Sequence, residues 1–469
     1  MPTLSILMAL YNEEEFIGTI LDRVLKAPLD EGMEREVIVV DDGSTDRSAL
    51  IVEEFINRYP GVVRLIRHER NRGKGAAIRT ALEQARGEWS IIQDADLEYD
   101  PRDYPNLLRP LVEGKADAVF GSRFLWSGER RVLYFWHALA NRYLTAACNL
   151  AADLNLTDIE TGYKAFRTSL ARSIPIRSNR FGIEPEITMK LAKRQARIYE
   201  TPIRYHGRTY EEGKKIGFWD AVKALGAVVR YGATGDLYRD PGRAILDAFA
   251  NTPRFNRWMA DTIRPYVGER VLEIGAGTGN LTRHLVSRRD VYVATDVDEE
   301  HLAQLHVRLR HWTHLSVRRS DAAEPADFAP FAGQMDTVLC LNVLEHIPDE
   351  RRALENIRSL LVPGGRAIIL VPQGPNLYGA IDEVLGHCRR YSREPLRRLL
   401  EEAGFGVERM LDFNRAAWPG WYIQGKLLRR RTLGRLPLRL FDRLVWLWRK
   451  TDRWLPWPPV SIIAVCVKS

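Results

Sequence analysis

Acidic and polar side chains follow three apolar segments in the first hundred residues of the sequence. The first segment ends in Tyr11-Asn12-Glu13-Glu14, the second in Asp41-Asp42-Gly43-Ser44 and the third in Asp94-Ala95-Asp96. Loops at the carboxyl ends of adjacent parallel strands form the crevice where α/β sheets bind ligands, and carboxylates there can accept hydrogen bonds from a base or a ribose. Two carboxylates one residue apart can also reach a divalent ion that bridges a diphosphate. The three motifs together predict a site for a nucleotide sugar and a metal ion, although Asp42 and Ser44 could instead cap the following helix.

A glycine-rich turn follows the apolar segment that begins at Val271, in the run Val-Leu-Glu-Ile-Gly-Ala-Gly-Thr-Gly. A dinucleotide site requires glycine at the sixth position of such a turn, where it seats the pyrophosphate, and here that position is Asn280. S-adenosylmethionine (SAM) has no phosphate, and its cationic methionyl end can contact the carboxylate of Glu273. The turn therefore predicts a SAM site, formed by Glu273, Gly275, Gly277 and Gly279. We expect Asp296 to accept both ribose hydroxyls and Asp321 to hold the adenine amine.

Strands and amphipathic helices must position these residues, and both halves of the sequence alternate between the two. Helices are predicted at Asp46–Arg58 and Gly75–Arg86. This alternation indicates an α/β fold with a parallel sheet in each half. Strands are predicted at Leu4–Leu10, Val37–Asp42, Val62–His68, Ser90–Asp94 and Ala118–Gly121 in the first half, and from Val271 and at Val291–Asp296, Thr337–Leu341, Arg366–Val371, Val407–Phe413 and Ile462–Val467 in the second.

Composition agrees with two packed domains. The 469 residues exceed one ordinary domain, and the net charge of +8 allows nucleic acid, anionic lipid or a phosphorylated substrate as a partner. The four cysteines form no CxxC pair, which favours a reducing compartment without a zinc site. The N-terminus is typical of a first strand and not of a signal peptide. The sequence contains no apolar run of eighteen or more residues, so no membrane span is predicted.

The first half resembles the family 2 glycosyltransferases of the GT-A fold, and within them the polyprenyl-phosphate sugar synthases. The resemblance covers about residues 1–230 and rests on the motifs above together with Asn71–Ala76, Asp94–Glu98, Gly121–Phe124, Thr161–Phe166 and Arg204–Tyr210. It implies an inverting hexosyltransferase in which Asp94 and Asp96 hold Mg²⁺ or Mn²⁺. Glu98 occupies the position of a third, amide ligand in relatives, and the donor would contact Tyr11, Asn12, Glu13, Asp42 and Lys74.

The acceptor that this resemblance implies is a polyprenyl phosphate. A phosphate monoester has a second pKa of about 6, so it is a nucleophile at neutral pH and needs no general base. The site needs cations instead. We expect Arg123 and Arg142 to hold the acceptor phosphate, and Arg208 and Lys214 to hold the donor diphosphate.

The second half, about residues 245–415 and 460–469, resembles the class I SAM-dependent methyltransferases, with small-molecule O-methyltransferases of the ubiquinone-biosynthesis type as the nearest resemblance. The glycine-rich turn, Asn342–His346 and Leu361–Gly365 carry it, and it adds Asn342 to the expected SAM contacts. In such enzymes the region of Gly386–Ser392 faces the substrate. His387 could there deprotonate a hydroxyl as general base, or it could pack a lid with Tyr391.

The predicted organisation is a glycosyltransferase domain at 1–235, a linker at 236–252 and a methyltransferase domain at 253–469 with an insertion at 415–459. This inserted segment separates two strands that normally form a hairpin, and it is rich in tryptophan and arginine, which favour lipid headgroups. We expect a cytoplasmic protein that binds peripherally to anionic lipid at the inner face of the cytoplasmic membrane and binds no nucleic acid. The residues concerned are Trp418, Trp421, Trp446, Trp448, Trp454, Trp457, Arg429, Arg430, Arg431, Arg435, Arg439, Arg443, Arg449, Lys450 and Arg453.

Three alternatives stay open from the sequence alone. The glycosyltransferase could act on a saccharide hydroxyl, which requires a catalytic base, and Glu184 is the candidate. The chain could be a non-catalytic scaffold that binds a nucleotide and SAM at a membrane. The inserted segment could be a lid whose tryptophans pack on the core and whose arginines face water.

Overall fold

The computed structural model describes residues 3–125, 132, 134–180, 182–207, 218–233, 236–431 and 435–468. The chain divides into two compact units, Met1–Arg239 and Asp240–Ser469. Each unit contains one seven-stranded sheet.

The sheet of the first unit has the strand order β3-β2-β1-β4-β6-β5-β7. Strands β1, β2, β3 and β4 pair in parallel, whereas β6 runs antiparallel to both of its neighbours, β4 and β5. The parallel strands place the three acidic motifs at one edge of the sheet. The strands are β1 (Thr3–Leu10), β2 (Glu34–Asp41), β3 (Val63–Arg67), β4 (Trp89–Asp94), β5 (Ala118–Ser122), β6 (Lys164–Arg167) and β7 (Ile198–Pro202).

Helices cover both faces of this sheet. Alternate residues of β1 point to opposite faces, so Ile6 and Met8 enter one core while Leu7 enters the other. Helices α1, α2 and α4 line the first core, and α3, α5, α7 and α8 line the second. The helices are α1 (Ile17–Lys26), α2 (Ser48–Arg58), α3 (Lys74–Gln84), α4 (Tyr104–Val112), α5 (Phe135–Ala152), α6 (Thr168–Ser173), α7 (Ile183–Lys193) and α8 (Phe218–Ala233).

The sheet of the second unit has the strand order β10-β9-β8-β11-β12-β14-β13. Its first five strands are parallel, and β14 is inserted antiparallel between β12 and β13. The strands are β8 (Arg270–Ile274), β9 (Val291–Asp296), β10 (Leu315–Arg319), β11 (Met335–Leu341), β12 (Leu361–Pro372), β13 (Phe405–Phe413) and β14 (Ser461–Lys468).

Two buried clusters, one on each face, form the core of the second unit. A 3₁₀ turn at Leu344–His346 follows β11, and a π-helical turn at Tyr422–Leu427 lies in the inserted segment. The helices are α9 (Pro241–Ala250), α10 (Pro253–Ile263), α11 (Thr282–Leu285), α12 (Glu299–Leu309), α13 (Pro325–Phe328), α14 (Glu350–Leu360), α15 (Ala380–Leu385), α16 (Arg393–Glu402), α17 (Trp418–Trp421), α18 (Arg435–Arg443) and α19 (Val445–Thr451).

The predicted α/β fold is confirmed in both halves, although β6 in the first sheet and β14 in the second run antiparallel to their neighbours. Strand β6 is antiparallel, because the chain crosses the middle of the sheet in the opposite direction after α5. The segment predicted as a linker, 236–252, contains helix α9, which belongs to the second unit. Among the described residues, no helix combines the length and the apolar character needed to span a bilayer.

Candidate active sites

The loops after β1 and β2 are joined by hydrogen bonds. The side-chain oxygen of Asn12 accepts a hydrogen bond from the Thr45 N–H at 2.9 Å, and the Asn12 N–H donates to Ser44 Oγ at 3.1 Å. The Glu13 N–H donates to Ser48 Oγ at 2.9 Å. The predicted donor-binding residues of these two loops therefore lie together, and the adjacent Tyr11 is 40% exposed.

Asp42 is buried and organises the segment that leads to Lys74. Its carboxylate accepts hydrogen bonds from the backbone N–H groups of Gly73 at 2.6 Å and Arg72 at 3.0 Å, and His68 Nδ1 lies 2.7 Å away. A base or ribose that binds Asp42, as predicted, would have to share or replace one of these contacts. Asp42 therefore acts first as a positioning residue.

Lys74 lies at the start of α3 and contacts two carboxylates. Its Nζ lies 2.8 Å from Asp94 Oδ1 and 3.1 Å from Glu184 Oε1. Burial acts to lower the pKa of Lys74, but Asp94 and Glu184 outweigh this effect and raise the pKa well above its ordinary value. The ammonium group therefore stays charged. A Cβ at Gly162 would lie 2.3 Å from Asp94 Oδ2, so a larger residue there would displace the Asp94 carboxylate.

The three carboxylates predicted to hold a metal ion lie near one another in sequence but are engaged differently. Asp94 pairs with Lys74, Asp96 Oδ1 accepts the Glu98 N–H at 3.0 Å, and Glu98 Oε2 accepts the Tyr205 hydroxyl at 3.0 Å. Within the described part of the chain, these three do not offer three ligand atoms within 4.8 Å of one another. Carboxylate oxygens are nevertheless the type of ligand that Mg²⁺ and Mn²⁺ prefer.

Two further charged residues, Glu160 and Lys164, lie near Lys74 and Glu184, and the sequence did not single them out. Burial and the neighbouring Glu184 raise the pKa of Glu160 to about 7. Burial lowers the pKa of Lys164 to about 8, and its Nζ donates to the carbonyl oxygen of Ile159 at 2.9 Å. The motif Thr161–Phe166 contains Lys164, but the pattern does not reveal that its side chain is buried.

Arg123 forms a bidentate ion pair with a fully buried carboxylate. Its Nε and Nη2 lie 2.6 and 2.7 Å from the two oxygens of Asp158, and its guanidinium lies over the Tyr205 ring at 5.1 Å. Burial acts to lower the pKa of Arg123, yet Asp158 raises it well above its ordinary value. Asn141 donates to the same Asp158 at 3.3 Å, which joins α5 to this pair.

The other three cations predicted for the phosphates are placed less closely. Arg142 is an exposed residue of α5, next to Asn141. Arg208 and Lys214 lie outside the described residues. The structure therefore brings Arg123, but not Arg142, into direct contact with the buried polar groups of the site.

The three glycines after β8 serve different purposes. A Cβ at Gly275 would lie 2.2 Å from Val343 Cγ2, and one at Gly279 would lie 3.1 Å from Leu305. A Cβ at Gly277 would meet no atom within 4 Å, although φ is +54° there. Gly275 and Gly279 are thus packing glycines, whereas Gly277 faces open space that a ligand can occupy. At Gly277 the backbone of the turn can therefore lie close to a bound SAM molecule.

Asp296 ends β9 next to Gly277. Its two oxygens accept the N–H groups of Gly277 at 2.8 Å and Asp298 at 2.9 Å, and His301 Nδ1 lies 3.7 Å away. Burial acts to raise the pKa of Asp296, but His301 and the two N–H groups lower it overall. Asp296 is therefore held ionised beside the glycine-rich turn, as a ribose acceptor requires.

The remaining predicted SAM contacts differ in their exposure. Glu273 is 3% exposed and accepts hydrogen bonds from Thr282 Oγ1 at 2.6 Å and the Tyr292 hydroxyl at 2.9 Å, so its carboxylate supports the turn from within. Asn342 is exposed at the end of β11 with φ of +54°. Asp321 is half-buried and accepts the Ala323 N–H at 2.9 Å.

His387 lies in a buried polar group after α15. Its Nδ1 lies 2.8 Å from Asp382 Oδ1, and the same oxygen accepts Arg390 Nε at 2.8 Å. The His387 ring packs edge-on against His346 with 4.8 Å between centroids. Burial raises the pKa of the nearby Glu345 to about 8.

The inserted segment is helical, and its tryptophans fall into two groups. Trp421 stacks on Phe249 with 6.3 Å between centroids, and Trp457 Nε1 donates to the Arg415 carbonyl at 2.6 Å. Trp446 and Trp454 are 60% and 67% exposed. Trp421 and Trp457 therefore pack as predicted for a lid, whereas Trp446 and Trp454 lie on the surface.

Comparison with known proteins agrees with this division. The family model of glycosyl transferase family 2 matches residues 5–174, and that of a methyltransferase domain matches residues 238–409. The first match contains Lys74, Asp94 and Arg123 but ends before Glu184, and the second contains the glycine-rich turn, Asp296 and His387. Both family models are named for transferases, so the matches favour an enzyme over a non-catalytic scaffold.

Three relatives match the first half of the chain. A dodecaprenyl-phosphate galacturonate synthase of Rhizobium johnstonii is 25% identical over 45% of this chain and 61% of its own length. A dolichol-phosphate mannosyltransferase of Pyrococcus furiosus is 27% identical over 45% of this chain and 60% of its own length. An uncharacterized protein of Methanocaldococcus jannaschii is 30% identical over 44% of this chain and 91% of its own length.

The chain thus spans about three fifths of the two relatives that are named for a reaction and nearly all of the third. Through its N-terminal unit the chain belongs to the family 2 glycosyltransferases, and its C-terminal unit is a methyltransferase domain.

Proposed function

We propose that the first unit transfers a hexose from a nucleotide sugar to a polyprenyl phosphate. The observation that carries the proposal is a pair of partly buried cations, Lys74 and Arg123, which lie near the carboxyl ends of the strands and pair with carboxylates. Relatives of the first half of the chain are named for polyprenyl-phosphate sugar transfer. Both cations stay charged at neutral pH, so they suit a reaction between two phosphate-bearing substrates.

The phosphate acceptor supplies its own nucleophile. An oxygen of the polyprenyl phosphate forms the new bond to the anomeric carbon, and the bond from that carbon to the diphosphate breaks, which releases a nucleoside diphosphate. Lys74 orients Asp94, and Asp158 orients Arg123. A divalent ion held by Asp94 and Asp96, with Glu98 as a further candidate, would offset charge on the leaving diphosphate.

A saccharide hydroxyl as acceptor would require a general base. Glu184 Oε1 pairs with Lys74 at 3.1 Å, so Glu184 would have to lose this contact to act. Glu160 is the more suitable candidate for a general base, because its pKa is raised to about 7. This alternative stays open as an outcome of the acceptor experiment below.

The second unit, we propose, binds SAM and methylates a small-molecule, glycan or lipid substrate. The open space at Gly277 and the ionised Asp296 beside it support SAM binding. Asn342 and Asp321 would contact the amino acid and adenine portions, and Glu273 supports the turn. The expected role of His387 as general base is one of two roles that its position supports.

We further propose peripheral contact with anionic lipid at the inner face of the cytoplasmic membrane. In the first unit, α5 exposes Phe135, Trp136 and Tyr143 on the helix that also carries Arg142. In the inserted segment, exposed apolar residues accompany exposed basic ones. They are Leu427, Leu428, Leu440, Trp446 and Trp454 with Arg429, Arg430, Arg431, Arg439, Arg443, Arg449, Lys450 and Arg453.

Sugar transfer is tested by incubating the full chain with a panel of nucleotide sugars and two kinds of acceptor. We expect a radiolabelled sugar to move to short polyprenyl phosphates in the presence of Mg²⁺ or Mn²⁺. Transfer to free saccharides, with none to the lipid phosphates, would instead support the hydroxyl acceptor. Vesicle flotation with anionic and neutral lipids, with the inserted segment intact or replaced by a short turn, tests membrane contact.

SAM binding is tested by calorimetry on Gly277→Val. We expect this variant to lose SAM affinity, because the side chain would fill the open space. Gly333→Val is the matched control, since Gly333 also has a positive φ, +63°, and open space, and lies in an exposed turn. Equal SAM affinity in the two variants would remove the glycine-rich turn from the site.

A further inference from the structure

Three side chains that can ligate a metal ion lie together beyond the carboxyl end of β11. Glu345 and His346 belong to the 3₁₀ turn after this strand, and His387 belongs to the loop after α15. One ligand atom from each lies within 4.8 Å of the other two. These three residues are called the histidine cluster.

Glu345 is fully buried, and neither of its carboxylate oxygens has a hydrogen-bond partner among the described residues. His387 Nε2 lies 3.9 Å from Glu345 Oε1, which is too long for a hydrogen bond. A buried carboxylate without a partner is costly. A cation between Glu345 and the two imidazoles would provide the missing partner.

The orientation of His387 suits a metal ligand. With its proton on Nδ1, His387 donates to Asp382 at 2.8 Å and keeps a lone pair on Nε2, the nitrogen that lies 3.9 Å from Glu345 Oε1. Asp382 is itself fixed by Arg390 Nε at 2.8 Å and by the Gly379 N–H at 3.0 Å. A carboxylate that holds the far nitrogen of an imidazole is the usual support of a metal-bound histidine.

We propose that Glu345, His346 and His387 bind one divalent first-row transition-metal ion of the zinc type. Two imidazole nitrogens and one carboxylate oxygen form the protein ligand set of a zinc site with an open position, whereas Mg²⁺ favours oxygen ligands. Donor atoms about 3.4 Å apart are expected around Zn²⁺ at its usual bond lengths. The separation of 3.9 Å between His387 Nε2 and Glu345 Oε1, and the limit of 4.8 Å for the whole set, mean that the side chains must draw together when the ion binds. His346 is exposed, which provides a path of entry.

The place of the cluster suggests what the open position receives. Val343, two residues before Glu345, is the side chain that a Cβ at Gly275 would meet, so the cluster follows directly on the glycine-rich turn of the SAM site. This part rests on the methyl transfer proposed above, whereas metal binding does not. The substrate would be a hydroxyl compound whose oxygen binds the metal and loses its proton to solvent. The oxygen then bonds to the SAM methyl carbon, the carbon–sulfur bond breaks, and S-adenosylhomocysteine is released. His387 then holds the metal instead of acting as general base.

The test is a titration of metal-free, untagged full-length protein with Zn²⁺ and Co²⁺, followed by calorimetry and by the visible absorption of Co²⁺. An Asp96→Ala background removes the ion expected in the first unit. We expect one equivalent to bind, and the affinity to fall by at least 100-fold, on the order of a lost ligand, in Glu345→Gln and His346→Gln. Asp382→Asn should weaken binding by about 10–100-fold through His387. His311→Gln, an exposed histidine outside the cluster, is the matched control and should bind like the parent.

No binding by the parent, or equal affinity in the parent and the ligand variants, overturns the proposal. SAM calorimetry on each variant shows whether the second unit is folded, and His346→Gln should fold because His346 is exposed. A parent that binds Co²⁺ but no SAM would refute the methyl-transfer proposal and leave the metal site standing. A parent that binds SAM but neither metal would do the reverse.

Discussion

In the first unit, Asp94 and Glu184 face Lys74 and Asp158 faces Arg123, whereas in the second unit the buried Glu345 has no hydrogen-bond partner among the described residues. Both groups lie beyond the carboxyl ends of parallel strands. The first site therefore pairs its carboxylates with partly buried cations, whereas in the second site Arg390 pairs with Asp382 and the buried carboxylate of Glu345 is left without a hydrogen-bond partner among the described residues.

This difference indicates which ligands the two sites favour. Cations that are already in place suit substrates that bring negative charge, such as a nucleotide sugar and a phosphate. A carboxylate and two imidazoles without a cation suit a ligand that brings positive charge. The ion pairs of the first site should also contribute to folding, while Glu345 should not.

The largest expected effect concerns stability. Removing one partner of a buried ion pair typically costs about 3–5 kcal/mol, so Asp158→Ala should lower the unfolding free energy of the first unit by that amount. Glu345→Gln should leave the metal-free second unit unchanged or more stable. Denaturant unfolding checks both, with the first unit identified by its response to nucleotide sugar. Glu53→Ala, which breaks the surface pair with Arg67, is the control and should cost below about 1 kcal/mol. Equal losses in Asp158→Ala and Glu345→Gln would erase the contrast.

Asp96→Ala should separate the two activities. We expect sugar transfer to fall by about 10²–10³-fold, as for loss of one group that stabilises charge in the transition state, while SAM affinity stays unchanged. Steady-state transfer assays and SAM calorimetry measure the two quantities. Asp30→Ala, an exposed aspartate, should behave as the parent. Undiminished transfer by Asp96→Ala would remove the metal assignment.

Arg142→Ala tests whether the exposed cation of α5 serves the acceptor. Loss of a charge-assisted hydrogen bond should cost about 1.5–3 kcal/mol, seen as a raised Michaelis constant for the polyprenyl phosphate and an unchanged one for the nucleotide sugar. The exposed Arg109 provides the control variant Arg109→Ala. A raised donor constant alone would place Arg142 on the other substrate.

The last expected effect is a pH dependence of stability. Glu160 has a pKa of about 7 in the folded protein, above its ordinary value of 4.5, so the native state binds more protons than the unfolded state between these values. Stability contributed by this group therefore falls as the pH rises from about 4.5 to about 7. Glu160→Gln should be more stable relative to the parent at pH 8 than at pH 5, measured as the melting temperature of the first unit. The exposed Glu31 gives the control, Glu31→Gln, for which no such change is expected. Parallel curves for parent and Glu160→Gln would contradict the assignment.

Most of the parallel strands were predictable because each is an apolar run bounded by polar residues. Strands β7 and β10, which are also parallel to a neighbour, were not predicted, since each contains charged residues and no continuous apolar run. Strand β6 escaped prediction, since it has only four residues and begins with Lys164, whose buried ammonium bonds to backbone carbonyls that no local pattern reveals. The predicted hairpin of β13 and β14 is confirmed, because the strands on either side of the inserted segment keep their apolar character.

The candidate sites were predictable only where a motif is local. Asp94 and Asp96 stand out in the sequence, but Asp158, which fixes Arg123 from 35 residues away, does not. The histidine cluster joins a turn after β11 to a loop 41 residues later, through the register of the sheet and the position of α15. Contacts of this kind depend on how elements pack and not on spacing along the chain.

The position of β14 has a consequence for synthesis. This strand lies inside its sheet, between β12 and β13, although residues 461–468 are made after every other strand of the unit. During translation, β13 therefore has no neighbour to pair with until the inserted segment and β14 have left the ribosome. The first unit, whose sheet is complete by Pro202, can fold long before. The sheet of the methyltransferase domain therefore stays incomplete, with apolar strands exposed, until β14 has been synthesised. A chaperone that acts on this chain should act at that stage.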